Sequence, residues 1–541
     1  MYMKRKCKNI ALSAIFVCLV AQSGCKKDWL DVNYNPRELT NTNAKPYLLL
    51  APVLDDAAFI APDFEYLSMW MGYWAAPSIP PALNFTNYTN VASSAIPSQG
   101  IPFLEEKASS LGQDFYTGIA KVMRALVWSR AVDKVNDVPY FDAYKVEILR
   151  PKYDNGKLIY EDLMKQLTLA SELIKNADIT KNENIALADI MFHGDKLKWL
   201  QFINTLKLRL LVHQANLTDR AAYIASEIEI IKNEGSGFLP SGVNGAVNPG
   251  YGVNIKISPY YGLYSSHNTR GGARGDLFSG VNSVDFAHAN EYALNLLKAD
   301  NDPRIDFIYS SIDLPLPIGA AEPFAQPAPV SFRGSRFGLF INTVSFPYQN
   351  RQYISAVGGS RNIDVVTPSS SGIIKGNNMD AWLITSVESA FLQAEAVYRG
   401  WLPGNQEEYY KAAVKESFRW LNVGGNSASP ALSDAVFDQW YNNSSSTVNP
   451  KINWAAAPDK YKLIMYQKYM GLNGIDAIET WTDYRRNGRF PDVPISVDET
   501  RISNTLPIRL VYTQDEIITN AENIKALGEI NMFTGKIWWM P

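Results

Sequence analysis

Apolar residues recur at helical spacing in four stretches of this 541-residue chain. In FYTGIAKVMRALVWSRAVDKV, Phe115, Ile119, Val122 and Leu126 stand four, three and four positions apart, which places them on one helical face. KLIYEDLMKQLTLASELI repeats the pattern with Ile159, Leu163, Leu167, Ala170 and Ile174. In DKLKWLQFINTLKLRLLVHQAN, Phe202, Leu206 and Leu210 share a face, with Lys196, Lys198 and Lys207 expected in solvent. In ITSVESAFLQAEAVYRGW, Val387, Phe391, Ala394 and Tyr398 align, and Gly400 is placed as the stop. EEYYKAAVKESFRWL follows as an antiparallel partner. Pro139 and Pro151 interrupt the pattern between the first two helices and force turn or extended backbone there. Paired helices with short connections suggest tetratricopeptide-like hairpins, without a clean 34-residue period.

The opening pattern differs. Lys4, Arg5, Lys6 and Lys8 precede an apolar run from Ile10 to Ala21, and small residues Ser23 and Gly24 stand before Cys25. That run is short of the roughly 20 residues a membrane span needs, and its flanks are those of an export signal. From about residue 238 to 376 helical periodicity fades, apart from VDFAHANEYALNLLKAD, and Gly, Pro, Ser and Asn crowd together. Loops on a rigid scaffold commonly carry recognition, so this region and the aromatic N-terminal segment are where a binding surface is expected.

Charge and cysteine usage narrow the classes. The net charge is −3, and without the four cations of the leader it is −7, so no phosphate-facing field points to nucleic acid. Cys7, Cys18 and Cys25 are the only cysteines, so cleavage before Cys25 leaves one thiol, at the new N-terminus, and no disulfide framework. Diacylation there accounts for it, and Gln22-Ser23-Gly24-Cys25 resembles a bacterial lipobox with Gln22 where an aliphatic residue is usual. No catalytic or phosphate-binding signature is present: H-E-x-x-H, G-x-S-x-G, a P-loop and C-x-x-C are all absent. His193, His213, His267 and His288 are scattered singly, so neither metal nor cofactor is expected, and His213 reads as a packed histidine. Glu388 with Glu395, or Glu407 with Glu408, offers the carboxylate pair of a glycosidase, but helix-surface charge is the simpler reading.

Six stretches in order resemble the SusD/RagB lipoproteins of Bacteroidota, the subgroup of divergent SusD-like homologues. They are DWLDVNYNP, AKVMRALVWSRAVDKVNDVPYFDAY, GDKLKWLQFINTLKLRLLVHQAN, FLQAEAVYRGW, IMYQKYMGLNGIDAIETWTDYRRNGRFP and PIRLVYTQDEIITNAENI. The resemblance implies a mostly α-helical, tetratricopeptide-like fold with loop-rich insertions, anchored by lipid on the outer membrane and exposed at the surface. The domain map is then a signal peptide at 1–24 and one domain at 25–541, its helical scaffold mainly 45–237 and 377–541, with the loop-rich, ligand-facing region at 238–376. It also implies a non-enzymatic role: delivery of a nutrient to a SusC-like TonB-dependent transporter. Trp481, Arg485 and Arg486 are then helix-packing and ion-pair positions, and Pro139-Tyr140 a turn.

The family pattern leaves the ligand contacts open, and the residues themselves nominate them. EYLSMWMGYWAAPSIPPALNFTNYTN mixes aromatic rings with short amides, the combination that stacks a pyranose face and bonds its hydroxyls. Trp74, Asn84, Asn87 and Tyr88 are the candidates there, with Trp74 also one helical turn from Trp70 and open to a core role. SPYYGLYSSHNTRGG supplies Tyr260, Tyr261, Tyr264 and Arg270. An oligosaccharide suits the tyrosines, an acidic peptide would use the arginine, and a surface glycoside hydrolase is the third alternative.

Overall fold

The computed structural model describes residues 44–58, 65–77, 85–89, 92–93, 100–145, 147–252, 256, 258–264, 288–312, 332–340, 354–358, 372–376, 378–425 and 429–541. The chain divides into two compact units, Met1–Lys45 and Pro46–Pro541; of the first, only Ala44 and Lys45 are described. The lipidation candidate Cys25 lies outside the described residues.

The second unit is mostly α-helical. Its longer helices are α1 (Pro46–Ala58), α2 (Glu65–Trp70), α3 (Gly100–Ser110), α4 (Asp114–Val135), α5 (Gly156–Asn176), α6 (Lys196–His213), α7 (Ala221–Glu234), α8 (Glu291–Ala299), α9 (Ser386–Tyr398), α10 (Gln406–Leu421), α11 (Pro430–Tyr441), α12 (Lys460–Gly471) and α13 (Ala477–Arg486). The four periodic stretches are α4, α5, α6 and α9, and EEYYKAAVKESFRWL is α10. Side-chain oxygens set their starts. Asn155 accepts from the Lys157 amide, Asp195 from Lys198, Thr385 from Glu388 and Asn405 from Glu408, each satisfying an amide that the first turn leaves open. Gly400 ends α9 at φ +72°, a conformation that costs a residue with a side chain, and its amide bonds the Val397 carbonyl.

Helix pairs α4–α5 and α9–α10 form antiparallel hairpins, with α3 against α4, α6 against α5 and α9, α12 against α9, and α11 against α10. α4 carries more than one apolar stripe: Phe115, Tyr116, Ile119, Met123, Leu126 and Val132 are all buried, because helices cover it on several sides. The turn at Pro139-Tyr140 is fixed by Val138 bridging to Asp154 and by the Tyr140 hydroxyl donating to Asp162 over 2.7 Å. Among the described residues of VDFAHANEYALNLLKAD, Glu291–Ala299 is helical. His288-Ala289 is extended, and Asn290 caps α8 by accepting from the Tyr292 amide.

Three charges expected in solvent are in the interior. Lys207 is 2% exposed and donates to Thr168 Oγ1 over 2.9 Å, with Glu227 at 3.2 Å. Glu388 accepts a bidentate pair from Arg209 at 2.5 and 2.7 Å, and Glu395 one from Arg486 at 2.8 and 2.7 Å. The correction has two causes: α7 covers the face of α6 that carries Lys207, and each carboxylate meets a guanidinium from a neighbouring helix, the arrangement in which buried charge is tolerated. Glu407 and Glu408 do lie at the surface of α10.

Candidate functional site

Two short strands begin the site. β1 (Trp74–Ala75) and β2 (Ala92–Ser93) follow α2, then β3 (Gly245–Val247), β4 (His288–Ala289), β5 (Ala381–Ile384) and β6 (Val511–Tyr512) along the chain. β1 pairs antiparallel with β4, Trp74 opposite Ala289. Further segments join this pair through single bridges, His288 to Ala356, Asn290 to Ser335 and Tyr309 to Val357. Backbone bonds tie them together: Ala289 N to Ser355 O at 2.7 Å, Ser355 N to Arg333 O at 2.8 Å, Ser335 N to Ala289 O at 2.9 Å and Ser310 N to Ala356 O at 2.8 Å. The result is one irregular platform built from 73–76, 288–290, 309–310, 333–335 and 355–357.

Its place in the chain gives it significance. The described segments 288–290, 309–310, 333–335 and 355–357, all from the loop-rich part of the sequence, meet at this one location. Buried contacts hold the platform to the helices. The Tyr309 hydroxyl donates to Tyr73 O at 2.8 Å, the Tyr73 hydroxyl donates to Tyr469 O on α12 at 2.5 Å, and Asn290 Nδ2 donates to Trp74 O at 3.1 Å. At Gly334 a Cβ would stand 2.6 Å from Glu291 N and Cα, backbone atoms that have no other position to take. These anchors escaped the sequence reading. Single backbone bridges between segments remote in the chain leave no periodic signal, and Gly334 is one glycine among 34.

The nominated rings do not stand on this platform as stacking surfaces. Trp74 is 1% exposed and Tyr88 is fully buried. Tyr88 packs edge-on to Trp70 at 6.1 Å, its hydroxyl accepts from the Ser496 amide at 2.8 Å, and Trp70 packs on Trp481 of α13 at 6.0 Å. The aromatic segment is thus the packing partner of α13. Tyr260 is buried by stacking on Trp382 at 3.6 Å, Trp420 closes on Trp382 edge-on at 5.1 Å, and Tyr261 is buried as well. All four nominated side chains belong to the buried core cluster, where each ring finds apolar or aromatic partners and burial returns more free energy than exposure would. Asn87 is half-buried, its Oδ1 accepting from the Thr89 amide at 3.1 Å and hydroxyl at 2.8 Å to close a turn. Asn84, the Tyr264 side chain and Arg270 lie outside what is described.

Lys375 accompanies the Tyr260 group. Its Nζ stands 4.0 Å from the Trp420 ring centroid and donates to Trp420 O at 2.7 Å, and burial pushes its ammonium down to about 8. The ionic centre of the molecule lies between α4, α6, α12 and α13. His213 Nε2 meets Glu479 at 2.9 Å, Lys468 meets Glu479 at 3.0 Å and Asp483 at 2.8 Å, and Arg130 meets Asp476 at 2.7 Å. Burial pushes Glu388 up to about 7 despite Arg209, but at 1% exposure it has no access to a substrate. Arg485 lies 3.4 Å over the Trp481 ring, and Arg486 bridges Glu395 and Asp483, as the resemblance implied. No group of three or more metal-ligating side chains occurs among the described residues.

Residues 84–513 match the family model of SusD-like proteins, described as starch-binding and associating with the outer membrane. A SusD homolog from Bacteroides fragilis superimposes with a TM-score of 0.69 at 18% identity, over 92% of this chain and all of that one. A chitin-binding SusD homolog from Flavobacterium johnsoniae gives 0.65 at 19% identity, over 91% and 98%. A SusD/RagB family protein from Bacteroides thetaiotaomicron gives 0.63 at 20% identity, over 92% and 99%. At these identities the likeness establishes a shared fold. No curated protein matches the sequence.

Proposed function

Because the chain belongs to the SusD-like family, described as starch-binding and outer-membrane-associated, we infer that it binds an oligosaccharide and hands it to a SusC-like TonB-dependent transporter. The observation that carries this reading is the meeting of four described segments of the loop-rich sequence, 288–290, 309–310, 333–335 and 355–357, on one backbone platform within the span that matches the family. Recognition on loops held by a rigid scaffold lets the ligand vary while the core stays the same. The ligand contacts are then to be sought in the loop-rich sequence and on Asn84, Tyr264 and Arg270, rather than on the buried rings.

The protein acts without catalysis in this reading. Glu388 and Glu395, one of the carboxylate pairs nominated for hydrolysis, are engaged by arginines inside the helical core, which favours binding over turnover. A peptide remains the alternative cargo through Arg270, and a surface glycoside hydrolase a more distant one.

Anchoring follows from Cys25, which we place at the mature N-terminus with a diacylglycerol on its sulfur, exposed at the cell surface. One acyl chain gives only marginal membrane binding, whereas two hold stably. Labelled palmitate should enter the wild-type protein and not Cys25→Ala, which should also leave the membrane fraction. Label retained in Cys25→Ala would remove the anchor from the account.

A further inference from the structure

A cavity of about 260 Å³ lies on the hairpin face, enclosed by α5, α6 and α7 and separate in sequence from the loop platform. Thr168, Ser171, Glu172, Lys175 and Asn176 come from α5, Asn204 and Lys207 from α6, and Ile230, Asn233 and Glu234 from α7. Its floor is polar and buried: Ser171 is 7% exposed, Asn204 1% and Lys207 2%. A buried ammonium is disfavoured, and desolvation lowers the Lys207 pKa, so an apolar side chain would pack there at less cost. A polar floor under an open rim is therefore a feature to be explained by what enters.

The charges of the cavity are matched internally. Lys207 faces Glu227 at 3.2 Å, and Lys175 faces Glu234 at 3.4 Å. Glu234 also accepts from Ser236 N at 2.9 Å and Asn204 Nδ2 at 2.8 Å, and with Lys175 these bonds hold its carboxyl below the usual range against the upward push of burial. An anion entering would meet Glu172 and Glu234; a cation would meet the two lysines. What remains open is uncharged hydrogen bonding. Both amide hydrogens of Asn204 are engaged, by Glu234 and by Gly237 O, which leaves its Oδ1 as an acceptor in a cavity that Ser171 also lines. Ile230, 38% exposed, supplies an apolar wall. The volume falls below the roughly 300 Å³ at which drug-sized ligand pockets begin, so one ring fits and an oligomer does not.

We propose that this cavity is a second ligand site, which takes a single uncharged pyranose or the terminal residue of a glycan through Ser171, Asn204 and Lys207. It does not depend on what the loops bind. The test uses the mature protein with ¹³C-labelled isoleucine δ1-methyls, titrated with D-glucose, N-acetyl-D-glucosamine and sodium acetate. The Ile230 methyl should shift saturably with at least one sugar and stay in place with acetate. Ser171→Leu, which fills the floor, should weaken that shift by about tenfold or more, on the scale of a lost hydrogen bond with its packing. The other isoleucine methyls report that the variant is folded. If Ser171→Leu does not fold, Ser171→Ala, which removes the hydroxyl without adding volume, decides the matter by the same criterion. No saturable shift with either sugar, a shift with acetate alone, or an unchanged sugar affinity in the folded variant would overturn the proposal.

Discussion

The most informative residues are those whose chemistry invited one role and whose surroundings assign another. Trp74 mixes with amides in sequence as a sugar platform would, yet it is enclosed by the core. Trp74→Ala should therefore cost stability in the range of about 3–5 kcal/mol, as large-to-small core changes do, and shift the urea midpoint. If the variant instead kept its midpoint and lost only glycan affinity, the ring would be a contact after all. His213 makes a second case. Burial works against its imidazolium, but Glu479 and Asp133 outweigh that and raise it from 6.5 to about 9. A group raised on folding stabilises fully below its unfolded value, and that contribution is lost as pH rises through the folded one. Stability should thus fall between about pH 6.5 and 9, with Glu388, raised to about 7, adding to the decline at its lower end. Thermal melts across this range should show the slope, and His213→Gln should flatten its upper half; an equal slope in the variant would assign the decline to other groups. Periodicity made His213 legible as a packed residue. Its ionic partners were not legible, because Asp133 and Glu479 come from positions far away in the chain.

Among elements, the helices were readable and the platform was not, for a physical reason. α4, α5, α6 and α9 repeat apolar residues at the period of their own geometry, and local caps such as Asn155 and Thr385 mark their starts. Solvation of Lys207 was expected from the same pattern and failed, since α7 covers the face of α6 on which it stands. The platform strands are two residues long or single bridges, too short for any alternation to show. Gly334 tests the platform as an element. Its φ lies outside the left-handed region, so Gly→Ala without a steric conflict would stabilise by about 0.4–1 kcal/mol through the unfolded chain. The Glu291 backbone at 2.6 Å reverses the sign, and Gly334→Ala should destabilise by about 1–3 kcal/mol in equilibrium unfolding. A neutral or stabilised variant would mean that α8 and the 333–335 segment are not held in this register.

The described part of the molecule joins a helical frame, held by packing and ion pairs, to one irregular platform built from segments of the loop-rich sequence. The family was legible in the sequence from six ordered stretches; DWLDVNYNP lies outside the described residues, and the other five encode packing, as Trp481 under Arg485 and Arg486 on Glu395 make plain. The ligand was not legible, since packing motifs carry no information about it and the described rings of the aromatic clusters, Trp74, Tyr88, Tyr260 and Tyr261, are buried. The central claim is that the mature chain is a binding protein for oligosaccharides. Calorimetric titration of that chain with a series of malto- and chito-oligosaccharides, followed by chromatography of the recovered glycan, measures it directly. The account predicts saturable binding that strengthens with chain length in one series, and glycan recovered at its original length. Shortened glycan, or no binding to any member of either series alongside saturable binding of peptides, would contradict it.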